Sequence, residues 1–381
     1  MTMPIDNKSL CSVFIVLIIM VSLCSVIIVH ETTGESKTDV QGEYNILARV
    51  NTEGSGIYIK EDVLTAKGGS SAFYDGSYHV TTANKAAWGG LVVGTPGAAT
   101  IQHVQMQQIA ESAGLTFTLY QDGMSTDSDH MYYVATMSNA AIVTGYTGQL
   151  DAGILWEPQY SKIIDDAAFT QLALTNNLFP GHTCCNIVGV KDYISSHRDV
   201  TERFLAAYVD AAKFVKNAVD NPGSAQYNQL VSICQEVVGT SISEDTIKDA
   251  LARITYVYND NDGTLNGLKA DIAGLADSLI DMGLLRHNLA DLGFNYSSQF
   301  ANAFVDEGYL NGALQRLDEG DPTLVGNHAT ITVAVISGDI HQIEMRIFFQ
   351  FLAQLNYDGI FKFLFHLDVS LIIIPQTWDL P

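Results

Sequence analysis

LVVGTPGAATIQHVQMQQIAESAGL, residues 91–115, is the stretch whose reading decides the fold class. Leu91-Val92-Val93-Gly94 is short, apolar and β-branched, and reads as a buried strand. Thr95-Pro96-Gly97-Ala98-Ala99-Thr100 follows as a turn, and Ile101 to Ala113 carries a helix that stops at Gly114. A strand, a glycine turn and a helix in that order are the repeating step of an α/β sheet. The unpaired N–H groups of the first helical turn lie at the positive end of the dipole and point back toward the carboxyl edge of the sheet. There they accept an anionic or carbonyl-bearing ligand group. Thr95, Gly97, Ala98 and Thr100 are therefore candidate ligand contacts. A structural reading stands beside this one: Thr95 or Thr100 caps the helix and Gly97 permits the turn. No lysine follows the glycine, so a phosphate-binding P-loop is not supported.

Downstream, Ser138 to Gly148 reads as a small amphipathic helix, and Leu150 to Leu155 as a strand ending in Trp156-Glu157-Pro158. Ligands in open α/β sheets lie beyond the carboxyl ends of strands, which makes Trp156 and Glu157 the next candidates. Against that, a Trp after a buried strand often belongs to the core, and a Glu before proline can simply end the strand. His182-Thr183-Cys184-Cys185 precedes a buried strand, Asn186 to Val190. A strand points the two cysteines to opposite faces, and neither CxxC nor HExxH occurs, so structural burial is favoured over a zinc or thiol site. Asp199 to Val219 sets Val200, Phe204, Tyr208, Ala211, Ala212, Val215 and Val219 on one helical face and ends at Asn221-Pro222. Further helices are predicted at 243–253, 265–281 and 297–307, with a strand from Ile254 to Tyr258.

Upstream, Tyr44 to Ile59 reads as two short strands around a Gly-Ser-Gly turn, and Gly68 to Gly90 as a long Gly/Ser/Thr-rich connector. Residues 31–43 are small, polar and acidic, a tether. The uncharged run from Leu10 to Val29 matches the roughly 20 residues that cross a bilayer core. Lys8 before it and Glu31 and Glu35 after it place the remainder outside the cell. Residues 1–30 are thus expected to be a signal anchor; Val21-Ser22-Leu23-Cys24 is an imperfect lipoprotein box, with Leu23 where a small residue belongs. With 42 acidic against 19 basic side chains, the net charge of −23 excludes nucleic acid as a partner bound through a basic surface. Five cysteines, two of them in the first apolar run, are too few for a disulfide-built scaffold.

Four segments taken together, Tyr44–Ile59, Val92–Leu115, Gly148–Ile163 and Cys184–Ala211, resemble in order and spacing the substrate-binding proteins of ABC importers for nitrate, sulfonates, taurine and thiamine-precursor-like compounds. The resemblance covers roughly residues 44–320. It implies an α/β, two-lobed periplasmic-binding-protein-like (type II) clamp behind the N-terminal transmembrane or signal helix. It further implies a small-molecule solute in the interlobe cleft, ABC importer membrane subunits as partners, no catalysis and no cofactor. The implied lobes are 44–87 (lobe I, part), 88–178 (lobe II) and 179–327 (lobe I, return).

Members of that family open with a first-lobe strand and loop that this chain lacks at its N-terminus. Residues 328–381 resemble that opening placed at the end, with Ile331–Ile336 as the strand and Ser337, Asp339, His341 and Gln342 as cleft residues. Either the chain is circularly permuted and this segment completes lobe I, or it is the broken start of another copy. Completion in cis is favoured because a parallel sheet stripped of strands exposes edges and apolar faces. Two other functions stand as alternatives: a receptor remnant that no longer binds, and an enzyme of the pyrimidine-forming branch sharing this fold, with His182, Cys184 and Cys185 as its reactive residues.

Overall fold

The computed structural model describes residues 44–97, 100–135, 149–258, 267–283, 288–320, 331–336 and 369–374. Strand β1 (Tyr44–Glu53) runs through the middle of a three-stranded antiparallel sheet, flanked by β8 (Thr183–Val190) and β9 (Ile254–Tyr256). After Gly54 the chain enters a different sheet. Strand β2 (Ser55–Lys60) joins β3 (Val92–Thr95), β4 (Thr116–Leu119), β5 (His130–Ala135), β6 (Ala152–Trp156) and β7 (Phe169–Leu174) in the order β4-β5-β3-β6-β2-β7. Consecutive strands β1 and β2 thus belong to different sheets, with Gly54 between them. Glu53 and Gly54 both adopt left-handed backbone (φ 64° and 81°), which breaks the ladder and re-aims the chain.

In the larger sheet β4, β5, β3 and β6 are mutually parallel, β2 runs against its neighbours β6 and β7, and β7 therefore runs with the first four. Helix α1 (Ile101–Ser112) follows β3 as the sequence predicts. The 68–90 segment is not a loose connector. Phe73 and Trp88 are fully buried in the core beside this sheet, edge to face at 5.0 Å, and the Trp88 indole N–H donates to the Phe73 carbonyl. Two large rings bury too much apolar area to stay in solvent, whatever the local glycine content. Helix α2 (Gln159–Ile164) lies beyond β6.

Around the smaller sheet, α3 (Arg198–Asp220) presses Phe204, Leu205, Tyr208, Ala211, Ala212 and Val215 into one core. Helices α4 (Ala225–Val238), α5 (Glu244–Arg253) and α8 (Gly308–Asp318) pack into the same core. The opposite face, through Ile46 and Val188, meets α6 (Leu268–Asp281) and α7 (Ser297–Phe304). Cys184 and Cys185 were expected on opposite faces, yet both enter the α3-side core with sulfurs 3.9 Å apart. The pairing explains this: Asn51 is opposite Cys185 and Thr52 opposite Thr183, so Cys184 is the extra residue of a bulge.

Strand β10 (Ile331–Ile336) pairs in parallel with β11 (Val369–Ile374) as a separate two-stranded sheet. Among the described residues it makes no ladder with β1, β8 or β9, so its expected place inside the first-lobe sheet is not where it is found. Its neighbour is set by β11, whose Val-Ser-Leu-Ile-Ile-Ile matches it as a continuous apolar, β-branched run. Residues 1–43, the expected anchor and tether among them, lie outside the described residues. Within the described ones, no helix is long and apolar enough to cross a membrane.

Candidate functional site

Two chain segments cross side by side between the sheets. The Glu53 N–H donates to the His182 carbonyl at 3.2 Å, and the Gly181 N–H donates to Glu53 Oε1 at 3.1 Å. Just beyond this crossing, parallel strands β3 and β6 end at the same edge as the first residue of β2, and Ser55 pairs with Trp156. Ser55 is a point of convergence. Its hydroxyl accepts from Gln102 Nε2 on α1 at 2.9 Å, and its carbonyl accepts from the Thr175 hydroxyl at 2.9 Å. The turn after β3, the start of α1, the end of β6 and the crossing thus meet at one place.

The Thr95–Thr100 turn is held by its own side chains. Thr100 is the N-cap: its hydroxyl accepts from the His103 N–H and donates to the Gly97 carbonyl at 2.8 Å. Gly97 has φ 143°, a conformation a side chain would strain. Thr95 is fully buried, and its hydroxyl pairs with His103 Nδ1 at 2.9 Å. The imidazole packs against Phe117 and Tyr133, and burial pulls its pKa down to about 4, so it is neutral near pH 7. The structural reading of Thr95 and Thr100 thus accounts for their side-chain bonds, while the N–H groups of Ile101 and Gln102 stand at the helix start. Ala98, Ser337, Asp339, His341 and Gln342 lie outside the described residues.

Trp156 is half-buried at the end of β6. Glu157 is fully buried and engaged within the protein. Its carboxylate accepts from the Ser161 N–H and hydroxyl, and pairs with the Arg253 guanidinium of α5 at 3.2 Å. Arg253 also bonds the Ser161 hydroxyl and lies over the Tyr160 ring. With the Thr246 hydroxyl donating to Asp165 at 2.9 Å, this fastens α5, packed by the smaller sheet, to α2 beside the larger. Glu157 therefore links the end of β6 to α5.

On the other flank α1 meets α6. Ile101 and Val104 pack on Leu279, with Leu275 and Met282 around them, and Gln108 Nε2 donates to the Ser278 hydroxyl at 2.9 Å. Deeper in, Arg49 Nη2 pairs with Asp271 of α6 at 2.9 Å, and the Thr183 hydroxyl donates to the same carboxylate oxygen. Among the described residues no group of three or more His, Cys, Asp or Glu is placed to hold a metal ion. His182 directs Nδ1 to the Phe179 carbonyl.

Sequence reasoning missed Gln102, Gln105, Asn51, Asn186, Arg49 and Arg253. One signal was available for the glutamines: from Ile101 to Ala110 the helix carries no charged residue, unusual for a helix with a solvated face. Asn186 lies in the apolar run TCCNIVGV, where an amide has no local reason to be.

A family model described as the NMT1-like family matches residues 20–228, more than half of the chain. No curated protein sequence matches it. Among solved structures, the periplasmic nitrate-binding protein NrtA from Synechocystis PCC 6803 is similar in fold, with a TM-score of 0.52 and 16% identity over 73% of this chain and 69% of its own. The ligand binding component of an ABC-type import system from Staphylococcus aureus has a TM-score of 0.47 and 14% identity, over 71% and 74% of the two chains. A periplasmic sulfonate-binding protein, SsuA from Methylobacillus flagellatus KT, stands at 0.47 and 12%, over 74% and 72%.

Proposed function

Because the chain belongs to the NMT1-like family, we propose that it is the extracytoplasmic solute-binding receptor of an ABC importer, and not an enzyme. In this reading residues 1–30 anchor it to the outer face of the cytoplasmic membrane and 31–43 tether it. The folded part captures a small anionic or polar organic solute between its lobes and hands it to the importer's membrane subunits. The observation that carries the reading is the pair of crossing segments at Glu53–Ser55 and Gly181–Thr183, bonded to each other. Two lobes joined by two adjacent strands can rotate about that line, and a solute bridging both lobes draws them together. The fold shared with NrtA from Synechocystis PCC 6803 supports the same architecture.

Thermal unfolding of the purified chain against nitrate, alkanesulfonates, bicarbonate and pyrimidines tests the proposal. One class should raise Tm in a concentration-dependent way, by the amount that binding to the native state alone produces. Flat curves throughout, with no turnover of any panel member, would replace the receptor by a remnant that no longer binds.

A further inference from the structure

Native interiors leave few polar groups without partners, and an amide with neither end satisfied is rare. Two side chains here are in that position. Gln105 and Asn186 are each 1% exposed, and neither the amide nitrogen nor the carbonyl oxygen of either has a hydrogen-bond partner. They come from different lobes and lie toward the same element. Gln105 shares the helical stripe Ile101, Val104, Gln108, whose other members pack on Leu279 or bond Ser278 of α6. Asn186 is directly opposite Arg49 across the β1–β8 ladder, so the two side chains share a sheet face, and Arg49 reaches Asp271 of α6. Asn51 Oδ1 and Thr52 Oγ1, buried at the crossing end of β1, are likewise without partners.

We propose that Gln105 and Asn186 are solute-contacting residues, one from each lobe, and that the solute they select is an uncharged molecule carrying both hydrogen-bond donors and acceptors. This rests on the receptor reading and narrows it. A primary amide offers two donors and two acceptor lone pairs in one plane, and so matches an amide or ureide edge. The charges near the junction are already balanced: Arg49 with Asp271, Arg253 with Glu157, and His103 neutral in its apolar surroundings. A chain of net charge −23 gives an anion no long-range attraction, whereas an uncharged solute pays no such cost and can satisfy both amides.

Calorimetry and thermal shift of the full chain with uracil and hydantoin, set against nitrate and ethanesulfonate, test this. The uncharged probes should bind with affinity unchanged between low and high salt. Gln105→Leu and Asn186→Leu should each weaken that binding about 10-fold or more while apo Tm holds or rises, because an unsatisfied buried amide has been removed. If either leucine variant fails to fold, Gln105→Glu and Asn186→Asp, close in shape but lacking the N–H donors, should show the same loss. Binding of the anions alone overturns the proposal and leaves the receptor reading standing. Uncharged-probe affinity retained in both variants overturns the two assignments, their amides then being satisfied by buried water only. Wild-type protein that binds neither class overturns the receptor reading and this inference with it.

Discussion

Replacing Arg253 by methionine keeps the stem that packs over Tyr160 and removes the charge that faces Glu157. The carboxylate is fully buried and also accepts from the N–H and hydroxyl of Ser161, the latter shared with Arg253. At 3.2 Å, two unit charges in a medium of effective dielectric about 20 attract by about 5 kcal/mol. The Arg253 side chain is 20% exposed, and solvent reaches it, so the net loss on Arg253→Met is smaller, about 2–3 kcal/mol. For a chain of this size that lowers Tm by about 5 °C. Because the two groups belong to different elements, 96 residues apart, a double-mutant cycle isolates the link. Glu157→Gln, Arg253→Met and the double variant, unfolded in urea, should give a coupling energy of about 2 kcal/mol. A coupling below about 0.5 kcal/mol, with a Tm shift under about 1 °C for Arg253→Met, would refute the reasoning and reduce this pair to an ordinary surface contact.

His103 supplies a pH dependence. Its folded pKa of about 4 lies below the unfolded value near 6.5, so the unfolded chain binds the extra proton first. The associated stability is full above pH 6.5 and falls by about 3 kcal/mol as pH drops toward 4; in His103→Gln, which keeps a partner for Thr95, this share of the pH slope should vanish from urea midpoints measured across that range. Gly153 stands opposite Tyr58 between β6 and β2, and a Cβ there would lie 2.5 Å from the Tyr58 Oη. Gly153→Ala should therefore destabilise by about 1–3 kcal/mol. Tyr58→Phe, which deletes a buried hydroxyl without a partner, should be neutral or stabilising and should lessen the cost of Gly153→Ala in the double variant, read from chemical unfolding.

The amino-acid sequence by itself determined the local elements. The strand-turn-helix from Val92 to Ser112 and the apolar stripe of α3 appear where periodicity and end signals place them. Ser243, which accepts from the Thr246 N–H, starts α5 one residue from the predicted start. These depend on residues within a turn or two of one another, so the pattern is written in adjacent letters. The carboxyl-edge position of Thr95, Gly97, Thr100, Trp156 and Glu157 was legible for the same reason. What those side chains do there was decided by tertiary structure. Glu157 meets a guanidinium 96 residues away, and Ser55–Lys60 leaves the sheet of the strand that precedes it. A one-residue bulge at Cys184 brings two cysteines to one face. That the amides of Gln105 and Asn186 are buried without partners is likewise a property of the folded chain and not of its neighbouring letters. Strand register and lobe contact are set by the summed burial of distant faces, and no window of neighbouring residues contains that sum.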